Sequence, residues 1–408
     1  MPQQTNKREF VLIMALLTSM MALAIDSMLP AFDQMSADFE LAQPSDIQHV
    51  IAALFLGFGI GQVLFGPLSD AFGRKWPTIL GSFIFVIGSG ICYFSPTYEW
   101  LLLGRALQGF GGAGPRIISV AMVRDSYSGN AMAQITSLIM TIFVFVPAIA
   151  PSVGHAILIQ YEWPAIFLML ILFSVFVSTW FFVRQPETLE GSNKIPLTVE
   201  RLSKGALFVI KEKTTVSAML MSGALFGVFM GYLGSIQNLI GNLYSKGEAF
   251  PFYFAILALS VGSASLINSK LVMKLGMRKL ISLAFSGMTL ICGLGAVLSL
   301  MSHNNQPEFW LFMLLLCATF ITVGILFGNI NALGMEPLGK VAGIGSSLLG
   351  STQMILASVI GYFVAPFVFS NVFLLFLSFS IAAFIGLLIA IIESKRFATQ
   401  ASIRRLRS

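Results

Sequence analysis

The sequence predicts an all-α polytopic membrane protein, with twelve transmembrane helices in two pseudo-symmetric six-helix bundles. Three observations predict it. Of 408 residues, 56% are hydrophobic and only 10% charged, and the mean hydropathy is +0.86. A chain of this length needs far more charge to keep its surface in water. Apolar runs of about 20 residues, the length a membrane helix requires, recur from end to end. Finally, Lys and Arg collect in alternate connections between those runs, as the positive-inside rule demands.

The runs fall at 10–32, 47–68, 76–94, 99–122, 132–157 and 163–184, then at 214–240, 250–271, 280–301, 309–335, 344–366 and 371–393. Between the two sets lies the one long connection, 185–213 ("QPETLEGSNKIPLTVERLSKGALFVIKEK"). The expected organisation is a bundle over 1–184, a cytoplasmic linker over 185–213, a second bundle over 214–393 and a cytoplasmic tail over 394–408. Lys7 and Arg8 precede the first run, Arg74 and Lys75 separate the second from the third, and Arg124 follows the fourth. Six more cations lie in 184–213, then Lys270, Lys274, Arg278 and Lys279, Lys340, and five after Glu393. That makes 21 on one side against Lys246 alone on the other, with Arg105 and Arg116 inside the fourth run. Both termini are therefore expected in the cytoplasm. A cleavable signal peptide, with "ALA" at 22–24 as its cleavage site, is the competing reading of the first run. The apolar character continuing to Phe32 argues against it.

Abundant Gly and Phe, 37 of each, suit helices packed closely on one another and facing acyl chains. Cys92, Cys292 and Cys317 are an odd trio inside apolar runs and read as core filler. His49, His155 and His303 lack ligand spacing, so no metal is expected.

The two halves echo one another. "GPLSDAFGRK" at 66–75 has a degenerate partner in "SKLVMKLGMRK" at 269–279, where Gly73 matches Gly276 and Asp70 has become Met273. Such repeats mark carriers in which two bundles alternate around a midplane site. On these residues the chain resembles the major facilitator superfamily over nearly its whole length. "GPLSDAFGRK" looks like that superfamily's loop signature. "LLLGRALQGFGGAG" at 101–114 looks like its proton-antiporter signature, and "IDSMLPAF" resembles the first-helix motif of the twelve-helix drug/proton antiporters of the Bcr/CflA type. One departure is visible in the fifth run: "PAIAPSVGHA" keeps Pro151 and Gly154 but has Ala150 and His155 where such antiporters usually carry glycines.

Asp26 is the first candidate residue. It lies about sixteen residues, or roughly 24 Å, into its run, and a carboxylate at bilayer depth costs enough to count as functional by default. It reads either as a hydrated group at the outer mouth or as a carboxyl that gains and loses a proton as the cavity opens to alternate sides. Arg105 is its natural partner, because a guanidinium keeps its charge; a tie to backbone carbonyls is the other reading. Residues 105, 108, 112 and 116 share one helix face, since eleven residues fall within about 20° of three turns. The fourth run thus shows Arg105, Gln108, Gly112 and Arg116 as one stripe, with Gln108 and Arg116 as cavity candidates. Arg116 reads equally as a side chain snorkelling to the cytoplasm.

At the loop signature, Gly66, Asp70, Gly73, Arg74 and Asp125 form a candidate gate. Asp70 is placed to cap a helix of the opposite half, and the resemblance implies that Arg74 pairs with Asp125. In the second half Tyr232, Gln237, Asn238, Asn329 and Asn331 are polar groups in apolar helices. They read as cavity lining or as interhelical hydrogen bonds.

The chain has no Walker-type loop and no nucleophile–base set, so ATP-driven transport and an enzyme are not expected. Taken with the resemblance, the expectation is a bacterial inner-membrane exporter of small amphipathic compounds, exchanging them for protons. A dedicated exporter of one metabolite, a proton-symporting importer and a non-transporting receptor are the alternatives. A small molecule, protons and lipid are the expected partners of a monomer, with no nucleic acid and no cofactor.

Overall fold

The computed structural model describes residues 6–189, 191 and 194–407. Residues 190, 192 and 193 of the linker and the last residue of the tail lie outside them. The helices in order are α1 (Lys7–Asp26), α2 (Phe32–Asp38), α3 (His49–Phe72), α4 (Lys75–Tyr93), α5 (Tyr98–Ser126), α6 (Gly129–Leu158) and α7 (Pro164–Arg184). There follow α8 (Val199–Lys211), α9 (Lys213–Asn238), α10 (Phe250–Leu275), α11 (Met277–Met301), α12 (Phe309–Met335), α13 (Ala342–Val368) and α14 (Val372–Arg407). All but α2 and α8 are long, which among the described residues makes twelve long helices and no strand. Among the described residues, eleven segments are long and apolar enough to cross a membrane by composition. The twelfth helix, α5, falls short because Arg105 and Arg116 interrupt its apolar character.

Side chains on the outer faces of the helices stay bare. Phe83 is 61% exposed, Leu172 63% and Leu290 73%, as befits walls that face acyl chains rather than water.

Packing repeats with the sequence. In the first six long helices α5 packs on α3 and α4, α1 on α6, and α4 on α7; in the second six α12 packs on α10 and α11, α9 on α13, and α11 on α14. The halves meet through α3 on α13 and α6 on α10, which are themselves related by the same exchange. Glycine permits the tightest crossings. A Cβ on Gly57 would lie 1.9 Å from the Ala106 carbonyl oxygen, and one on Gly109 equally close to that of Leu54, so α3 and α5 touch backbone to backbone.

Two elements differ from expectation, and the linker adds a helix of its own. The first run is not one helix to Phe32: α1 stops at Asp26, a 3-10 turn covers Leu29–Ala31, and α2 follows. Pro30 is the reason, for it stands where the N–H bonding to the Asp26 carbonyl would be and has none to give. The tail after Glu393 does not separate from the last span but continues α14 to Arg407, with no Gly or Pro after Gly386 to break it. The linker is structured as well. Its α8 lies against α13, where a Cβ on Gly205 would come within 2.6 Å of Ile344.

Candidate functional site

Two groups of polar side chains concern the candidate site, one around Asp26 and one around Arg74. At one end α1 delivers Asp26 as its last residue, 5% exposed. Among the described residues it has no hydrogen-bond or ion-pair partner. The ion pair expected with Arg105 is not formed. Arg105, itself fully buried, donates instead through Nη1 to the Ala24 carbonyl at 3.1 Å and to Gln108 Oε1 at 2.6 Å, and through Nε to the Val50 carbonyl at 3.4 Å. Its Nη2 finds no partner, and its plane lies 5.9 Å from the Phe167 ring. A planar fork suits this task, since one side chain reaches α1, α3 and its own helix. Arg105 thus holds the backbone two residues before Asp26 rather than the carboxylate.

Gln108 passes the chain on, its amide nitrogen donating to Ser89 Oγ at 2.7 Å. Gly112 leaves room for Met21, whose sulfur would sit 2.2 Å from a Cβ there. Arg116 lies among aromatic rings. Half-buried, it sits 5.9 Å from the Phe58 ring on α3 and 5.7 Å from the Phe143 ring on α6.

Across the seam from Asp26 stands Tyr232 of α9, 1% exposed, its hydroxyl unpartnered. The rings of Phe320 at 4.8 Å, Phe229 at 5.6 Å and Phe379 at 6.5 Å surround it. Gln237 is also buried, and its Oε1 accepts nothing. Asn238 and Asn329 prove to be hydrogen-bonded ties: Asn238 donates to the Phe369 carbonyl at 2.8 Å, and Asn329 to Asn268 Oδ1 at 2.6 Å and the Ile325 carbonyl at 2.8 Å. Asn331 is half-buried. The seam itself is stitched by Gln48 Nε2 donating to Ser235 Oγ at 3.3 Å, Ser358 Oγ donating to the Ala52 carbonyl at 2.8 Å, and His49 stacked on Tyr362 at 4.5 Å.

The other end is built around Arg74, only 2% exposed. It donates to Asp70 Oδ1 at 2.6 Å, Ser69 Oγ at 2.9 Å and Asp125 Oδ2 at 2.7 Å, so the pairing of Arg74 with Asp125 is present. Burial works against its charge, but the hydrogen bonds to Asp125 and Asp70 outweigh it and hold the guanidinium above its ordinary pKa. Asp70 lies beside the start of α13, its Oδ2 3.1 Å from where a Cβ on Gly343 would sit. A carboxylate at that helix N-terminus meets the positive end of the dipole. Gly66 makes a second crossing to α13, with Ser347 Oγ 2.2 Å from its would-be Cβ. Gly73 ends α3 at φ +99°, a conformation that costs glycine nothing, and its counterpart Gly276 ends α10 at φ +75°.

Sequence reasoning missed Glu187. Its Oε1 accepts the Arg74 N–H at 2.8 Å and its Oε2 the Lys75 N–H at 3.0 Å, so the linker caps α4. Burial pushes this carboxyl up, yet the backbone N–H groups of Arg74, Leu189, Lys75 and Thr188 together hold it below the usual carboxylate range. The linker also donates from the Ile195 N–H to the Asp70 carbonyl at 2.9 Å. Missed too was the second-half counterpart, Arg278, which pairs with Glu336 at 2.6 Å and Glu393 at 3.2 Å. The available signal was an acid standing at the end of each of three apolar runs, at 187, 336 and 393.

Known proteins bear on this arrangement. The profile of the Major Facilitator Superfamily matches residues 11–362. The "Bicyclomycin resistance protein homolog" of Haemophilus influenzae is 28% identical over 373 residues, 90% of this chain and 91% of its own. The "Multidrug resistance protein MdtL" of Salmonella heidelberg is 26% identical over 85% of each chain, and the "Uncharacterized MFS-type transporter YdgK" of Bacillus subtilis is 29% identical over 88% of this chain and 89% of its own. Among solved structures, a D-xylose-proton symporter overlays 94% of this chain and 95% of its own with a TM-score of 0.72. The human organic anion transporter MFSD10 overlays 95% and 100% with a TM-score of 0.69. Both are 14% identical and speak for the fold alone. With the family profile spanning most of the chain and its two-half helical architecture repeated in these structures, this protein belongs to the Major Facilitator Superfamily, as a multi-pass membrane transporter of small molecules and not an enzyme.

Proposed function

We propose that this transporter exports small amphipathic compounds across a bacterial inner membrane in exchange for protons, by alternating access, with both termini in the cytoplasm. The observation that carries the reading is Asp26, a carboxyl buried at the end of α1 that has no partner among the described residues. A fixed structural charge there would be paired. An unpaired one suits a group that trades its proton as the seam opens to one side and then the other. Arg105 holds its helix in place through the Ala24 carbonyl. The cluster of Gly66, Asp70, Gly73, Arg74 and Asp125 is the inner gate, strapped by the linker over 185–213 between bundles at 1–184 and 214–393. Relatives named for bicyclomycin and multidrug resistance support the direction and the class of cargo. The protein works as a monomer.

The test is transport in proteoliposomes. An imposed pH gradient is expected to drive bicyclomycin uphill in exchange for protons, read together by labelled drug and an entrapped pH dye. Drug movement with no accompanying proton flux would refute exchange, and Asp26→Asn retaining gradient-driven transport would remove Asp26 from it.

A further inference from the structure

Between the halves lies a cleft of about 270 Å³, close to the roughly 300 Å³ at which small-molecule sites begin. From the first half α2 supplies Gln34, and the end of α6 supplies His155 and Leu158, with Ile159 just after it. The second half supplies Gln237 near the end of α9 and Phe250 at the start of α10. With the termini in the cytoplasm, as proposed above, the end of α6, the end of α9 and the start of α10 all fall on the outer face.

The lining is apolar at Leu158, Ile159 and Phe250, and it includes no carboxylate, ammonium or guanidinium. Gln237 stands apart within it. The residue is buried, yet among the described residues its amide makes no hydrogen bond and Oε1 lies out of reach of solvent. Its neighbour Asn238 is tied on both sides, donating to the Phe369 carbonyl at 2.8 Å and accepting from Asn242 Nδ2 at 2.8 Å. A buried amide left open is costly, and it persists where a ligand completes it. An amide carries an acceptor and a donor side by side. The uncharged groups that answer both at once carry the same pair, as a carboxamide or a lactam does.

We infer that this cleft is an outer cargo subsite for an uncharged carboxamide or lactam, whose amide pairs with that of Gln237 while its apolar part rests on Leu158, Ile159 and Phe250. Calling the ligand cargo rests on the export reading above. Gln237 Nε2 donates to the ligand carbonyl, and Oε1 accepts the ligand N–H. A cationic ligand meets no carboxylate in the lining and is disfavoured. Because both halves contribute walls, the ligand is held while they stand this close and let go as they part.

The experiment is protection from maleimide labelling in the full chain, held in nanodiscs so that both faces meet the reagent. The reporter is Ile159→Cys, at a lining residue that is 71% exposed. Met273→Cys, 86% exposed near the far end of α10, is the control. The probe is bicyclomycin, an uncharged lactam, beside its N-methylated form, which keeps the carbonyl and lacks the N–H. Bicyclomycin is expected to protect Ile159→Cys saturably and to leave Met273→Cys unprotected. N-methylation, or Gln237→Met in the reporter chain, should each raise the half-protecting concentration about five-fold, as the loss of a neutral hydrogen bond does. Combined, they should cost less than the product of the two, because both act on one contact. No protection at Ile159→Cys, or effects that multiply in full, overturns the inference. Protection without proton-linked export by the wild type keeps the subsite and removes the export reading, whereas export without protection does the reverse.

Discussion

The two ends of this transporter treat charge in opposite ways. At the Arg74 end every buried charge is answered: a guanidinium by two carboxylates and a hydroxyl, a helix N-terminus by Glu187, another by Asp70. At the Asp26 end Arg105 Nη2, the Tyr232 hydroxyl and Gln237 Oε1 are buried and left open, and among the described residues the Asp26 carboxyl has no ion-pair partner, whereas at the Arg74 end the open atom is a neutral hydroxyl, Ser347 Oγ. Satisfied networks define one arrangement and resist leaving it; open groups are costly to keep and persist where a ligand or a proton completes them. The first end behaves as a latch and the second as a place where something binds.

The sharpest way to break that contrast is a pair of substitutions. Asp26→Asn should cut gradient-driven transport by at least about 100-fold, the lower range for a lost proton-transfer group, without lowering thermal stability, because it removes an unpaired charge. Arg74→Ala should do the reverse. It strands two carboxylates and removes charged hydrogen bonds worth about 1.5–3 kcal/mol each, so the balance between inward- and outward-open states shifts while substrate selectivity holds. Cysteine accessibility from the two faces reads the shift. Lost stability in Asp26→Asn together with an unmoved equilibrium in Arg74→Ala would erase the distinction.

Arg116 sharpens the same comparison within the Asp26 half. Its guanidinium faces Phe58 and Phe143 and, among the described residues, makes no ion pair with a carboxylate, so the local field disfavours a cationic cargo. Arg116→Ala should weaken transport of anionic and zwitterionic compounds several-fold, spare neutral ones, and improve lipophilic cations, as measured across a substrate panel. Equal effects on all three classes would assign Arg116 to packing.

The sequence is most legible where solvent dictates it. Apolar run length and the confinement of Lys and Arg located the long helices, and the paired glycines 73 and 276 marked the ends of α3 and α10. Partnerships were less legible. Arg105 shares a helix stripe with Gln108, but which atoms of α1 it meets depends on how α1 lies across α5, and helical spacing is silent on that. The break after Asp26 could have been read from Pro30. The role of Glu187 could not, because it meets α4 only once the linker folds back over a turn more than a hundred residues earlier in the chain.

Glu187 yields the smallest and most specific expectation. Its carboxylate accepts the first N–H groups of α4 and is held below its ordinary pKa by them. A depressed folded-state value means the stabilisation is present above the unfolded value of about 4.3 and is lost as pH falls through the folded one. Glu187→Gln should therefore cost about 1 kcal/mol at neutral pH, the typical worth of an N-cap, and the gap between variant and wild type should close as the pH drops below about 4. Other carboxylates titrate over the same range, so the difference between the two proteins in thermal unfolding is the quantity to follow. Gly73→Ala offers an independent check, since a Cβ there would stand 2.6 Å from Glu187 Oε2 and require a left-handed backbone. If Gly73→Ala and Glu187→Gln destabilise by amounts that fail to add when combined, the two act on one contact. A gap between Glu187→Gln and wild type that persists unchanged into acid would show that the linker holds α4 by packing, and the Arg74 end would lose one of its answered charges.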